Sequence, residues 1–143
     1  MIYWLRNVIG YLVCAIASEA IARWLDSTVV ADTLIPNLTA TVIALLAINV
    51  QTTAVIAVKL RELADRANSK FGATLRQFRL AIYEQAGLVI ASFAISAIAK
   101  SPTATDSSLP MNVGALFVLF ASLHIFLDTS VGLLIALFPE HEE

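Results

Sequence analysis

Four stretches of the chain are almost purely apolar, over about residues 2–22, 38–58, 80–99 and 111–137. An α-helix rises about 1.5 Å per residue, so roughly 20 residues match the ~30 Å hydrocarbon layer of a bilayer. Each stretch therefore predicts a transmembrane helix. The first carries charge only at Arg6 and Glu19, with Tyr3, Trp4 and Tyr11 on one half and Trp24 at the far end; Trp and Tyr favour membrane–water boundaries. A signal-peptide reading competes there, with Ala15-Ile16-Ala17 as a cleavage site before Ser18. We expect the segment to be retained as a span.

The polar connections separate these stretches cleanly in two places and ambiguously in one. Residues 23–37 are mixed: Asp26-Ser27-Thr28 offers caps, and Pro36 either begins the second helix or kinks one that starts near Thr28. The sequence leaves both open. From Lys59 to Arg79, Leu60, Leu63, Ala64 and Ala67 keep helical spacing, Asn68-Ser69 and Gly72 form a break, and Leu75, Phe78 and Ile82 resume an apolar stripe. This reads as a short helical hairpin projecting from the membrane. Lys100-Ser101-Pro102 ends the third span, and a Ser/Thr/Pro-rich loop leads to Pro110. The last span contains His124, Asp128, Thr129 and Ser130, and Pro139 stops it before an acidic tail. The expected architecture is a single four-helix transmembrane domain over residues 1–143: an all-α, up-down bundle with a hairpin between the second and third helices.

Composition strengthens this picture. Of 143 residues, 59% are hydrophobic and only 14% charged, against about 25% charged in soluble domains. The mean hydropathy is +0.81. Such a chain is neither disordered nor an ordinary soluble enzyme, and it lacks the basic surface of a nucleic-acid-binding domain. Its one cysteine, Cys14, allows no intrachain disulfide and reads as a small apolar residue.

The net charge of −2 hides a sorting by place. Six of the nine basic residues, Lys59, Arg61, Arg66, Lys70, Arg76 and Arg79, fall in the hairpin, where only Glu62 and Asp65 oppose them. The positive-inside rule puts this hairpin in the cytoplasm and, with four spans, both termini there too. A bacterial inner membrane is the expected setting. The run serves orientation and contact with anionic lipid, and is also a candidate docking surface for a cytoplasmic protein.

Polar groups inside the spans are the candidate functional residues: Asn49, Gln51, Glu84, Ser92, His124 and Asp128. Counted from Lys59, Asn49 lies ten residues in, about 15 Å deep. Counted from Arg79 and Leu137, Ser92 and His124 lie about 20 Å deep, Asp128 about 14 Å and Glu84 about 8 Å. His124 and Asp128 are four apart, so they share a helix face. A carboxylate facing lipid is costly, so Asp128 is expected to face the interior, a partner chain or a water-filled path. Three roles compete. The pair lines an ion or proton path, with His124 as a pH sensor; it pins the bundle by hydrogen bonds to Asn49, Gln51 or Ser92; or it forms a ligand or lipid site. Glu84 is expected to pair with Arg76, Arg79 or Lys59, and Glu19 with Arg23 one turn on. Small residues four apart, Gly10/Cys14, Ala40/Ala44, Gly87/Ala91 and Gly132/Ala136, permit close helix contacts and leave faces for neighbouring subunits.

No HExxH, CxxC, Gly-rich phosphate loop or GxSxG occurs. His124 with Asp128 is too sparse for a metal site, and no cofactor is expected. The expected function is a homo-oligomeric channel or pore for ions or small solutes. The alternative is a non-conducting anchor, assembly or regulatory subunit that holds a cytoplasmic partner through the basic hairpin. Enzymatic activity is not expected.

Overall fold

The computed structural model describes residues 2–67, 72–101 and 108–137. It is an all-α bundle of four long helices: α1 (Ile2–Trp24), α2 (Ile35–Ala67), α3 (Gly72–Ala99) and α4 (Ser108–Leu137), with a π-helical turn (Val30–Leu34) running directly into α2. Four stretches are long and apolar enough to cross a membrane: Leu5–Trp24 in α1, Val30–Glu62 through the π turn and α2, Thr74–Ala99 in α3 and Leu109–Gly132 in α4. The second window begins eight residues before the expected Leu38, and the third six before Leu80. Lys70 and the Asn68-Ser69 break lie outside the described residues, as do Asp106 and the acidic tail. The tip of the expected hairpin is therefore not described.

The ambiguous connection has a defined shape. Asp26 adopts φ 50°, the left-handed conformation that ends many helices. Its N–H bonds the Arg23 carbonyl at 3.1 Å, and the Ser27 N–H bonds the Ala22 carbonyl at 2.8 Å. This paired Schellman arrangement satisfies the last carbonyls of α1. Ser27 Oγ then accepts the Val29 N–H at 3.4 Å, so one short turn closes α1 and opens the next helix. That helix does not wait for Pro36. Because proline lacks an N–H and crowds the preceding turn, the chain widens just before it: the Ile35 N–H bonds the Val30 carbonyl, five residues back. Asn37 Nδ2 supplies a further donor, to the Thr33 carbonyl at 2.8 Å. Of the two openings the sequence left, the helix starts near Thr28 and deforms at Pro36.

Packing is uneven around the bundle. Helices α2, α3 and α4 each pack on the other two, whereas α1 lies mainly against α4. A seven-residue recurrence runs through the three-helix core. On α2 the buried positions include Ile35, Val42, Asn49 and Ile56; on α3, Phe78, Gln85 and Ser92; on α4, Ala115, Ser122 and Thr129. A repeat of seven keeps one seam facing its neighbour and produces left-handed, coiled-coil-like packing. Ile35, Leu38, Val42, Ala115 and Val118 form the largest buried apolar cluster. Ile56, Leu60 and Phe78 close the α2–α3 seam near the basic end. Ala15 of α1 meets Val30 and Leu116 in a separate cluster, which ties the π turn to α1 and α4.

Candidate functional site

Because α1 docks mainly on α4, a cleft remains between α1 and α3. Helix α4 forms its floor. The cleft measures about 330 Å³ and is open on one side. Its polar lining is Asn7 and Tyr11 from α1, Glu84 from α3, and His124 and Asp128 from α4. Val8, Ala81, Leu88, Ala121 and Ile125 line the rest, together with Phe117. No lysine or arginine is among the described residues that line it. Spacing explains the convergence. Residues 7, 8 and 11 share one face of α1, residues 81, 84 and 88 one face of α3, and residues 117, 121, 124, 125 and 128 one face of α4.

Three of the six polar residues singled out from the sequence, Glu84, His124 and Asp128, meet in this cleft and are exposed to it. His124 does have a close neighbour, but it is aromatic: the Tyr11 ring centroid lies 5.4 Å away, tilted by 51°. Tyr11 also meets Phe117 edge-on, at 6.0 Å and 69°. The Tyr11 ring is thus held between two rings of α4, a geometry aromatic pairs favour. The ion pairs among the described residues are Arg23–Glu19 and Lys59–Glu62. Glu84 is therefore not paired with Lys59, Arg76 or Arg79, and faces the cleft instead.

The other three candidates lie elsewhere. Asn49 is 1% exposed and donates from Nδ2 to Gln85 Oε1 at 2.8 Å. This bond, not one to His124 or Asp128, joins α2 to α3 at mid-depth. Ser92 is buried and donates to the Val89 carbonyl of its own helix at 2.8 Å. Gln51 is exposed and is not part of the cleft lining. Of the basic residues, Lys59, Arg61, Arg76 and Arg79 are exposed. The Arg66 side chain and Lys70 lie outside what is described.

Three polar contacts are not predicted by the sequence. Gln85, fully buried, is the partner Asn49 requires; its position in the seven-residue series Phe78, Gln85, Ser92 is the signal that would have placed it inward. Asn112 Nδ2 donates to Glu19 Oε1 at 3.0 Å, the same oxygen that accepts Arg23 Nε at 2.9 Å. The expected Glu19–Arg23 pair is present, and Asn112 fastens it to α4. Glu19 itself is 2% exposed. Nearer the same end, Thr39 Oγ1 and Ser96 Oγ lie 3.3 Å apart, bridging α2 and α3.

No group of three or more His, Cys, Asp or Glu side chains that could hold a metal ion occurs among the described residues. Comparison of the chain with family models, with curated proteins and with solved structures gives no match.

Proposed function

We propose that this chain is a subunit of a small homo-oligomeric membrane protein that passes ions or small solutes, and that the cleft supplies the polar wall of the path. One observation carries the reading. Two carboxylates, an imidazole and a phenol converge on one open cleft within helices that are otherwise apolar. Ionisable groups at membrane depth are costly against lipid and mark ion or proton pathways. A neighbouring subunit laid over the open side would turn the cleft into an enclosed passage. The small-residue faces are available for that contact. A side-chain carbon added at Gly10, Gly87 or Gly132 meets nothing within 4 Å, so these close-approach faces are not consumed within the subunit.

In this reading the basic ends of α2 and α3 lie in the cytoplasm, both termini share that side, and the hairpin gates the path or receives a regulator. The setting is an inner membrane of bacterial type. The protein performs no covalent chemistry. The test is flux. Purified protein in liposomes passes monovalent cations, and Asp128→Asn and Glu84→Gln each change rate or selectivity. Absence of flux from pH 5 to pH 8, with protein of verified insertion, would reject it.

A second reading is favoured by the exposed Lys59, Arg61, Arg76 and Arg79 near the joined ends of α2 and α3. They suit a membrane anchor or assembly subunit that docks an acidic cytoplasmic surface. Reversing charge at Arg61, Arg66 and Arg76 should then release a co-purifying soluble protein while leaving the bundle folded. Native extraction without any such protein would count against it.

A further inference from the structure

We infer that the cleft between α1, α3 and α4 binds a monovalent organic cation with an apolar body, a substituted ammonium and not a bare metal ion. The inference rests on the conducting reading for its purpose, but binding is measurable without conduction.

Charge gives the sign of the ligand. Glu84 and Asp128 face the cleft from two different helices, and no lysine or arginine is among the described residues that line it. At an effective dielectric of about 20, a unit charge some 6 Å from a carboxylate is favoured by about a hundredfold, enough to select cations strongly over neutral solutes.

Size and lining give its body. A volume of about 330 Å³ is roughly that of ten water molecules, at about 30 Å³ each. A desolvated metal ion would leave most of that space unfilled. A metal also needs several converging ligands, and no such group occurs among the described residues. The lining is mainly aliphatic and aromatic, with Val8, Leu88, Phe117 and Ile125 beside the charged groups. Few polar groups among apolar walls is the signature of a small-molecule site. Tyr11, held between Phe117 and His124, adds the electron-rich ring that attracts ammonium groups.

Access fits an amphiphilic guest. Since α1 rests mainly on α4, the gap between α1 and α3 gives lateral entry from the membrane. The ammonium could belong to a free solute or to a choline lipid headgroup, and the experiment separates the two.

The probe is benzyltrimethylammonium, titrated calorimetrically into the full chain in maltoside micelles, which carry no amine. Saturable binding is expected. Glu84→Gln and Asp128→Asn should each weaken it by about tenfold or more, and Tyr11→Leu by about two- to thirtyfold. Glu62→Gln, outside the cleft, should leave it unchanged, with far-ultraviolet circular dichroism confirming that every variant is folded. The neutral isostere neopentylbenzene should bind at least about tenfold more weakly.

Equal binding of the neutral isostere, displacement of the probe by equimolar sodium, or no saturable binding to the folded wild type would each overturn the proposal. Repeating the titration with added phosphatidylcholine assigns the source. Competition identifies the headgroup and unchanged binding a free solute, and both support the ammonium chemistry. Binding without flux rejects the conducting reading and keeps the site. Flux without binding rejects the site and keeps the path.

Discussion

The Asn49–Gln85 bond makes an asymmetric prediction about two isolated substitutions. Asn49 Nδ2 donates to Gln85 Oε1 at 2.8 Å, while Gln85 Nε2, also buried, has no hydrogen-bond partner. Replacing Gln85 by Leu loses the bond and orphans Asn49 Nδ2, but it also removes the unsatisfied Nε2. Replacing Asn49 by Leu loses the same bond and leaves both ends of the Gln85 amide unpaired. A lost partner inside a protein costs about 1–3 kcal/mol per orphaned group, and an interhelical bond in a bilayer contributes about 0.6 kcal/mol, with a maximum near 1.7. Asn49→Leu should therefore cost about 2 kcal/mol and Gln85→Leu roughly 1 kcal/mol or less. The double variant should be more stable than Asn49→Leu alone, because no amide remains to be satisfied. A double-mutant cycle by denaturant unfolding in bicelles, followed by circular dichroism, measures all three. Gln85→Leu costing as much as Asn49→Leu, or a double variant equal to the sum of the singles, would refute the reasoning.

Three further outcomes follow from the fold. Asp26 at φ 50° occupies a conformation that glycine adopts freely, so Asp26→Gly should raise stability by about 0.5–1 kcal/mol in the same assay. Glu19→Leu strands Asn112 and should cost about 1–3 kcal/mol. Glu19→Gln keeps a carbonyl oxygen for both Asn112 and the half-exposed Arg23, and should cost less than about 1 kcal/mol. A Cβ added at Gly10 or Gly87 meets nothing within 4 Å, so Gly10→Leu and Gly87→Leu should both fold normally while lowering the oligomeric mass measured by light scattering. An unchanged mass would show that these faces meet only lipid.

The four spans were readable because a bilayer imposes a length and a composition that few other environments require. The Glu19–Arg23 pair was readable because i,i+4 neighbours meet on any helix. What the sequence left hidden depends on which helices touch. Asn49 was expected near His124 or Asp128 because all lie at similar depth, but depth says nothing about azimuth. The seven-residue series on α2 and α3 settles azimuth, and it turns Asn49 toward Gln85. Glu84 looked like a partner for the nearby arginines because they are close in sequence. Yet Arg76 and Glu84 are eight residues apart and Arg79 five, and Glu84 shares its face with Ala81 and Leu88 on the cleft side. The peripheral seat of α1, from which the cleft arises, has no local signature at all. The π turn had a partial one: Pro36 announces a disturbance, but whether a helix precedes it depends on the cap at Ser27.

The unequal seating of the helices divides the protein into a frame and a removable wall. Helices α2, α3 and α4 share a heptad seam, and a slip of α2 against α3 would break the buried Asn49–Gln85 contact. Helix α1 shares none of that register. Its anchors among the described residues include the Glu19–Asn112 contact, the Ala15 cluster and the Tyr11 rings. A chain severed at the Asp26 turn would thus separate wall from frame without cutting the α2–α3–α4 seam, and α1 supplied as an independent peptide would return to a seat made by α4 and the π turn.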